Sequence, residues 1–298
     1  MLSLLLGSSP LFGADSPERV PSEPDANELV QKALARLSAK RLSMKEQAEA
    51  QQSAAETALA NSREKTAAVL VTNMIPVPGL SCRMGRTEVT QSQWEGVMGN
   101  NPSTFQYPDH PVESVSWYDV GSFLKTLNAI PTVQKRGLRF RLPYWSEWLH
   151  ACHAGGTGQF GLLKNGVEGL PDEMAWYVST TYNGDMTRAV AEKTPNAWGF
   201  YDMHGNVAEF VVILTPDNVG WAVGGHYASW HYNCTCLSQQ YVRDKLTRSS
   251  GIGFRLCVDE FISEPAAVES EPKQTDDGLD DLDNTSGTQI TKENKKNK

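Results

Sequence analysis

Large aromatic side chains are confined to one stretch of this chain. Of the 26 Phe, Trp and Tyr residues, 25 lie between positions 71 and 261, as do 20 of the 24 glycines. The flanks lack the large apolar side chains whose burial offsets the entropy lost on folding. The sequence therefore predicts one packed domain over residues 71–261, a comfortable size for a single core.

The N-terminus carries a targeting pattern. An apolar run, Leu2–Leu6, is followed by small residues ending at Ala14, which resembles a secretory signal over residues 1–14. This predicts export to the periplasm or the extracellular space. A cytosolic protein with a chance leucine cluster is the alternative. Residues 15–24 are Pro-rich and charged, and are predicted to form a linker. No stretch approaches the ~20 apolar residues of a membrane span, so no transmembrane anchor is expected.

Residues 25–70 are predicted to form one long helix. Up to residue 69 this segment has no Gly, Pro or aromatic residue, a composition that favours helix. A heptad-like spacing selects Val30, Leu34, Leu37, Arg41, Met44, Ala48, Gln51, Ala55 and Ala58. Three of its seven apolar positions are Ala, so the seam is weak. Two interpretations stay open: a solvated helical stalk, or a coiled coil that forms a homo-oligomer.

Charge and composition also constrain the C-terminal flank. Residues 262–298 contain nine acidic and five basic side chains and no aromatic residue. This composition predicts a disordered acidic tail. The formal net charge of the whole chain is −8. A nucleic-acid partner is not expected, because binding phosphates requires a basic excess.

Short elements separated by Gly, Pro, Asn and Asp clusters characterise the packed region. Thr90 is a candidate N-cap for the first of its helices. The predicted elements are helices over 91–98, 119–127 and 147–154 and strands over 221–223 and 253–258. This sparse mixture predicts an irregular α+β domain rather than a doubly wound sheet.

An ordered set of motifs runs through the same region. These are Glu88-Val-Thr90 with Trp94; Val97-Met-Gly-Asn-Asn-Pro-Ser103; His110-Pro-Val112 with Val115-Ser-Trp117; Arg141-Leu-Pro143 with Glu147-Trp148; Pro195-Asn-Ala-Trp-Gly-Phe-Tyr-Asp-Met-His-Gly-Asn206 with Glu209; Gly224-Gly225; and Gly253-Phe-Arg-Leu256. The set resembles the formylglycine-generating enzyme family, also called the sulfatase-modifying factor domain. The resemblance implies a C-type-lectin-like fold with little regular secondary structure.

The resemblance also implies a reaction. The family's enzyme oxidises a cysteine of a substrate protein to formylglycine with Cu(I) and O₂, and two thiolates spaced i and i+5 after the Gly-Gly motif hold the copper. The matching catalytic positions are Ser229 and Cys234. A hydroxyl is a poor ligand for Cu(I), which prefers sulfur. We therefore expect a binding or structural module without the oxidase activity, whose ligand is a protein or a carbohydrate.

Two alternatives to a module without oxidase activity remain open. Cys234 and Cys236, with His231 or His226, are candidates for a rearranged soft-metal site, because two thiols at i and i+2 of a strand share a face. The other is a copper-dependent oxidase that matures sulfatases despite Ser229.

The resemblance further implies a structural calcium ion. The matching ligands are the carboxylates of Asp202 and Glu209 and the main-chain carbonyls of Gly205 and Val207. Hard oxygen ligands within eight residues suit Ca²⁺. The alternative is that the two carboxylates only cap turns.

Five cysteines leave at least one thiol free or paired between molecules if the protein is exported, whereas all five are expected to be reduced in the cytosol. In some members of the family that this sequence resembles, a cysteine at the position of Cys152 forms a disulfide with a cysteine at the end of the last strand. Cys257 lies one residue beyond that place, and such an offset reverses the side-chain direction in a strand. A Cys152–Cys257 disulfide and buried free thiols both remain open.

Overall fold

The computed structural model describes residues 25–213, 220–242 and 244–260. The predicted signal segment, the predicted linker over 15–24 and the predicted acidic tail over 262–298 lie outside these residues. Across the described ranges, every helix is too short or too polar to cross a membrane.

Short helices and strands follow one long N-terminal helix. The helices are α1 (Ala26–Thr72), α2 (Gln91–Met98), α3 (Trp117–Asn128), α4 (Pro131–Lys135), α5 (Trp145–His153) and α6 (Pro171–Met174), with a 3₁₀ turn over His231–Asn233. The strands are β1 (Met74–Pro76), β2 (Arg83–Gly85), β3 (Leu138–Arg141), β4 (Ala175–Trp176), β5 (His204–Gly205), β6 (Ala208–Val211), β7 (Gly220–Val223), β8 (Gln239–Val242), β9 (Ile252–Gly253) and β10 (Cys257–Glu260). The predicted α+β class with a long N-terminal helix is confirmed.

Helix α1 is exposed along its first part and buried at its end. The seam positions Leu34, Leu37 and Met44 are more than half exposed. The predicted homo-oligomer through this seam stays a prediction. In the last turns, Ala67 and Leu70 are buried in the main core. Helix α1 thus runs past the predicted boundary at residue 70, and its end belongs to the packed domain.

The contact between α1 and α2 requires a glycine. A Cβ added at Gly96 of α2 would lie 2.1 Å from Thr66 Oγ1 of α1. One turn earlier, Arg63 Nε donates a hydrogen bond to the Val97 carbonyl at 2.8 Å. The packing of the Thr66 side chain on Gly96 and this hydrogen bond anchor the long helix to the domain.

Local capping signals place the helices of the packed region. Thr90 and Gln93 form a reciprocal capping box at the start of α2, so the N-cap prediction and the 91–98 helix are confirmed. Ser116 and Asp119 form the same box for α3, which therefore begins two residues before its predicted start. Helix α5 also begins two residues before the helix predicted over 147–154, and it ends at His153.

Within the described residues, the strands form two four-stranded sheets and one parallel pair. The first sheet has the order β1-β2-β10-β3 and is antiparallel, and the second has the order β8-β7-β6-β9 with β6 and β9 parallel. Strands β4 and β5 pair in parallel. The predicted strand over 221–223 is confirmed as β7, which begins at Gly220.

The single strand predicted over 253–258 is wrong. The chain forms β9 in the second sheet, leaves it, and forms β10 in the first. Phe254, Arg255 and Leu256, between the two strands, are all buried. A run of buried residues therefore reflects a crossing between sheets here, and not one continuous strand.

A buried ion pair lies beside this crossing. Arg255 Nη2 and Nε donate to Glu209 Oε1 and Oε2 at 2.5 and 2.6 Å, and the two side chains are 0% and 1% exposed. Trp148 Nε1 donates to the same Oε2 at 2.7 Å. Arg255 also donates to the carbonyls of Gly85 and Tyr201 at 3.0 and 2.9 Å. One guanidinium thus joins β6, the end of β2 and the loop before β5.

We expect Arg255→Met to lower the free energy of unfolding by about 3–5 kcal/mol, because it leaves the Glu209 carboxylate buried without a countercharge. Urea unfolding monitored by Trp fluorescence measures the change. The control is Glu28→Gln, which removes an exposed pair with Lys32 and should cost about 0.5 kcal/mol or less. Equal costs for the two variants would contradict a structural role for the buried pair.

Candidate functional site

Two consecutive glycines after β7 shape the region of the predicted catalytic positions. Gly224 and Gly225 have φ angles of 89° and 73°, which favour glycine. A Cβ at Gly225 would lie 2.3 Å from the Asn233 carbonyl oxygen and 2.8 Å from Cys234 Sγ. The absence of a side chain at Gly225 therefore lets the loop that carries Cys234 pack directly on the end of β7.

Ser229 and Cys234 both lie against the backbone of His226. Ser229 Oγ accepts a hydrogen bond from the His226 N–H at 3.1 Å, and Cys234 Sγ points to the His226 carbonyl at 3.9 Å. Ser229 is half-buried, whereas Cys234 is fully buried. Both predicted side chains thus contact the backbone of His226, but Ser229 is partly accessible to solvent and Cys234 is not.

Burial also controls the chemistry of the remaining thiol. It raises the pKa of Cys234 to about 12, and the His226 backbone opposes this only in part. Ser229 thus presents a half-buried hydroxyl and Cys234 a fully buried thiol at the two positions where the resemblance implies copper-binding thiolates.

A polar groove of about 560 Å³ opens beside Ser229. Its polar lining comes from His226, Ser229, Asn233, Ser238, Gln239 and Gln240. These groups are amides, hydroxyls and an imidazole whose pKa burial lowers. The groove therefore offers uncharged hydrogen-bond donors and acceptors. Apart from Ser229 and His226, its residues were not singled out from the sequence, because a polar loop gives no signal that distinguishes a groove from ordinary surface.

The rearranged soft-metal site considered as an alternative for Cys234 and Cys236 does not form. The two residues follow a 3₁₀ turn and are not in a strand. Cys234 packs with Ala175 and Tyr177, whereas Cys236 belongs to the cluster around Trp148. His231 is exposed. The premise of a shared strand face was wrong, so the two thiols point into different parts of the core.

Cys236 instead meets Cys152 of α5. Their sulfur atoms are 2.7 Å apart, and both residues are fully buried. Cys257 lies in a separate group with Cys82 and Glu147, whose ligand atoms are all within 4.8 Å of one another. The Cys152–Cys257 pairing considered from the sequence is therefore wrong. The one-residue offset of Cys257 places it on β10, opposite Met84 of β2.

The four predicted calcium ligands lie on the loop and strands at the buried ion pair. Asp202 has a left-handed φ of 55° and accepts the Ala191 N–H at its Oδ2, 2.8 Å away. Its Oδ1 is buried without a hydrogen-bond partner among the described residues. Burial raises the pKa of Asp202 to about 6. A buried carboxylate oxygen that has no hydrogen-bond partner is suited to bind a cation.

Two of the other three predicted ligands have tightly constrained surroundings. A Cβ at Gly205 would lie 2.0 Å from the Trp176 carbonyl oxygen, so no larger residue fits there. Both Glu209 oxygens accept hydrogen bonds from Arg255, as described above. Both oxygens of Glu209 are thus bound to Arg255. A cation at this place would have to share the Glu209 carboxylate with the Arg255 guanidinium.

A further carboxylate, missed by the site prediction, supports this loop. Glu88 is fully buried, and its two oxygens accept hydrogen bonds from the Val207 N–H at 3.0 Å and the Asn206 side chain at 2.8 Å. Burial, and then the charges of Asp202 and Glu209, raise its pKa well above the usual range. Glu88 belongs to the first of the sequence motifs, and that motif was the available signal.

The chain is similar to several known proteins. "Chaperone protein LppX" of Paenibacillus barcinonensis is 31% identical over 196 residues, which cover 49% of this chain and 69% of that protein. Among solved structures, Treponema denticola variable protein 1 is 27% identical with a TM-score of 0.51, over 59% of this chain and 84% of that one. PvdO from Pseudomonas aeruginosa is 22% identical with a TM-score of 0.49, over 60% and 80%.

The family described as "Sulfatase-modifying factor enzyme 1-like domain" matches residues 43–260. The match includes the second half of α1, in agreement with the packing of that helix on the domain. With the motifs, the short strands and this match over most of the sequence, the chain belongs to the sulfatase-modifying factor enzyme 1-like domain family.

Proposed function

We propose that this chain is an exported binding module of the sulfatase-modifying factor fold that lacks the family's copper oxidase reaction. The observation that carries the proposal is the pair of positions 229 and 234. The first holds a hydroxyl, and the second holds a fully buried thiol whose pKa burial raises to about 12. A copper site that also accepts a substrate thiolate needs two accessible soft ligands.

The groove is the proposed ligand site. Its amide and hydroxyl groups can pair with the main-chain N–H and C=O groups of a polypeptide. Trp230, Tyr232 and Leu237 are each more than half exposed on the loop that carries Asn233. Exposed aromatic residues beside a polar groove favour contact with apolar side chains.

These features favour a polypeptide in an extended or unfolded state over a carbohydrate. A relative that is named a chaperone supports the same choice. Carbohydrate binding is the competing outcome, because the same amides and hydroxyls could pair with sugar hydroxyl groups.

We expect no oxidase activity from the wild-type chain. With Cu(I), O₂ and a Cys-Xaa-Pro-Xaa-Arg peptide, mass spectrometry should detect no aldehyde product. Ser229→Cys, which places cysteines at both positions, should not produce the reaction, because Cys234 remains buried away from solvent and substrate.

The matched variant for this assay is Cys234→Ser. Aldehyde formation by the wild-type chain that this substitution abolishes would refute the loss of activity. Gain of product by Ser229→Cys alone would show that the buried thiol becomes a competent copper ligand.

Binding in the groove is tested with a fluorescent, reduced and carboxymethylated polypeptide as a model unfolded ligand. Fluorescence anisotropy should show saturable binding, and Gln240→Arg should weaken it about tenfold or more, because it places a bulky charge at the groove wall. Gln134→Arg, an exposed glutamine of α4 away from the groove, makes the same chemical change and should bind like wild type.

Equal weakening by both variants would place binding outside the groove. Retention of an oligosaccharide array by the wild-type chain, with no binding of the unfolded polypeptide, would favour the carbohydrate alternative.

We also propose a structural calcium ion at Asp202, with the carbonyls of Gly205 and Val207 and a shared oxygen of Glu209. The buried, unpartnered Oδ1 of Asp202 supports this proposal. A bound cation would provide the partner that this oxygen lacks, and it would stabilise the ionised carboxylate.

Removal of calcium tests this site. After dialysis against EDTA, added Ca²⁺ should raise the melting temperature of the wild-type chain by several degrees, because a ligand that binds only the folded state stabilises it. Asp202→Asn should abolish the shift, whereas Asp109→Asn, at an exposed carboxylate, should retain it. A wild-type melting temperature that Ca²⁺ does not change would contradict the site.

A further inference from the structure

The five cysteines of the described chain are not randomly distributed in the core. Cys152 and Cys236 are separated by 84 residues in sequence, but their sulfur atoms are 2.7 Å apart. Cys152 lies on α5, and Cys236 lies on the loop between the 3₁₀ turn and β8. The same loop supplies Asn233 and Ser238 to the wall of the groove.

The distance between the two sulfur atoms distinguishes two kinds of site. Two thiolates bound to one tetrahedral zinc ion, at about 2.3 Å each, would hold their sulfurs about 3.8 Å apart. The observed separation is well below that value and below ordinary non-bonded contact. The geometry therefore favours a covalent pair over a shared metal ion, although His204 lies close enough to be a third ligand.

We infer that Cys152 and Cys236 form a disulfide that ties the groove loop to helix α5. The inference goes beyond the proposed binding function, and only its source of oxidant in the cell rests on the proposed export. It leaves Cys234 as a free thiol, and it differs from the Cys152–Cys257 pairing that the family resemblance had suggested.

In the folded domain, a histidine lies beside the pair. His204 Nδ1 lies 2.8 Å from the Cys234 carbonyl oxygen. Because that oxygen can only accept, Nδ1 carries the proton and Nε2 is the unprotonated nitrogen. This Nε2 lies 3.7 Å from Cys152 Sγ.

The reaction requires a disulfide donor, which is a small-molecule disulfide or a thiol–disulfide oxidoreductase. The Cys236 thiolate attacks one donor sulfur, forms a mixed disulfide and releases the first donor thiol. The Cys152 sulfur then attacks Cys236 Sγ, which forms the protein disulfide and releases the second donor thiol. The two protein thiols lose two electrons and two protons, and the donor gains both. Since both sulfurs are buried in the fold, exchange occurs before the loop docks.

Disulfide mapping of the full chain tests the inference without any variant. The reduced, unfolded protein is refolded in a glutathione redox buffer, quenched in acid, alkylated and digested with trypsin. We expect the peptide over residues 142–164, which contains Cys152, to be linked to the peptide over 194–243. The second peptide contains both Cys234 and Cys236, so Cys234→Ser is the matched control and should retain the link. Cys236→Ser should lose it.

Stability provides a second measurement. In the oxidising buffer, Cys152→Ser, Cys236→Ser and the double variant should all melt about 5–10 °C below wild type, because each removes the same long-loop cross-link. Reduction of wild type should produce a similar decrease, with little further loss in the variants.

Three outcomes would overturn the inference. One is a link from the 142–164 peptide to the peptide that contains Cys257. Another is alkylation of both Cys152 and Cys236 in the chain refolded under oxidising conditions. The third is retention of one zinc ion in native mass spectrometry with both thiols reduced. None of these depends on ligand binding, so failure of the groove proposal would leave the disulfide map unchanged.

Discussion

The buried ion pair between Arg255 and Glu209 is the interaction on which the packed domain depends. Its strands are only two to four residues long, so strand pairing satisfies few backbone groups. Buried carbonyls and N–H groups in the loops need other partners. The Arg255 guanidinium donates hydrogen bonds to the carbonyls of Gly85 and Tyr201. The Glu88 carboxylate accepts one from the Val207 N–H. Charged side chains are buried here because they replace the backbone ladder that a regular sheet would provide.

The same construction explains how the loop keeps its shape with a hydroxyl at position 229. Ser229 accepts the His226 N–H, and the Val178 N–H donates to the Ser229 carbonyl at 2.9 Å. These contacts hold the loop and require no metal ion. Fold and reaction are therefore separable in this family, because loop geometry comes from the backbone whereas copper chemistry comes from two side-chain atoms. A groove whose walls are held by backbone contacts is available for binding whether or not a metal ion is present.

Local signals in the sequence located α1, α2, α3 and α5 to within two residues, but they missed the short helices α4 and α6 and most of the strands. Helix α2 was predicted with its cap, because the capping residue and the apolar spacing lie within one turn of each other. The run from Ile252 to Val258 was not resolved, because seven consecutive buried residues contain no alternation that shows which sheet each residue joins. Strand partners are distant in sequence, so pairing depends on the completed fold.

By itself, the sequence determined the region that holds most of the packed domain, its family and the presence of Ser229 where the family resemblance implies a thiolate. Each of these is a matter of residue identity and order. Only the tertiary structure decided that Cys234 is buried, that Glu209 is committed to Arg255 and that Cys152 meets Cys236. The last two pairs are separated by 46 and 84 residues in sequence. The physical reason is that the pKa of a thiol, the partner of a carboxylate and the neighbour of a sulfur depend on groups that only folding brings together.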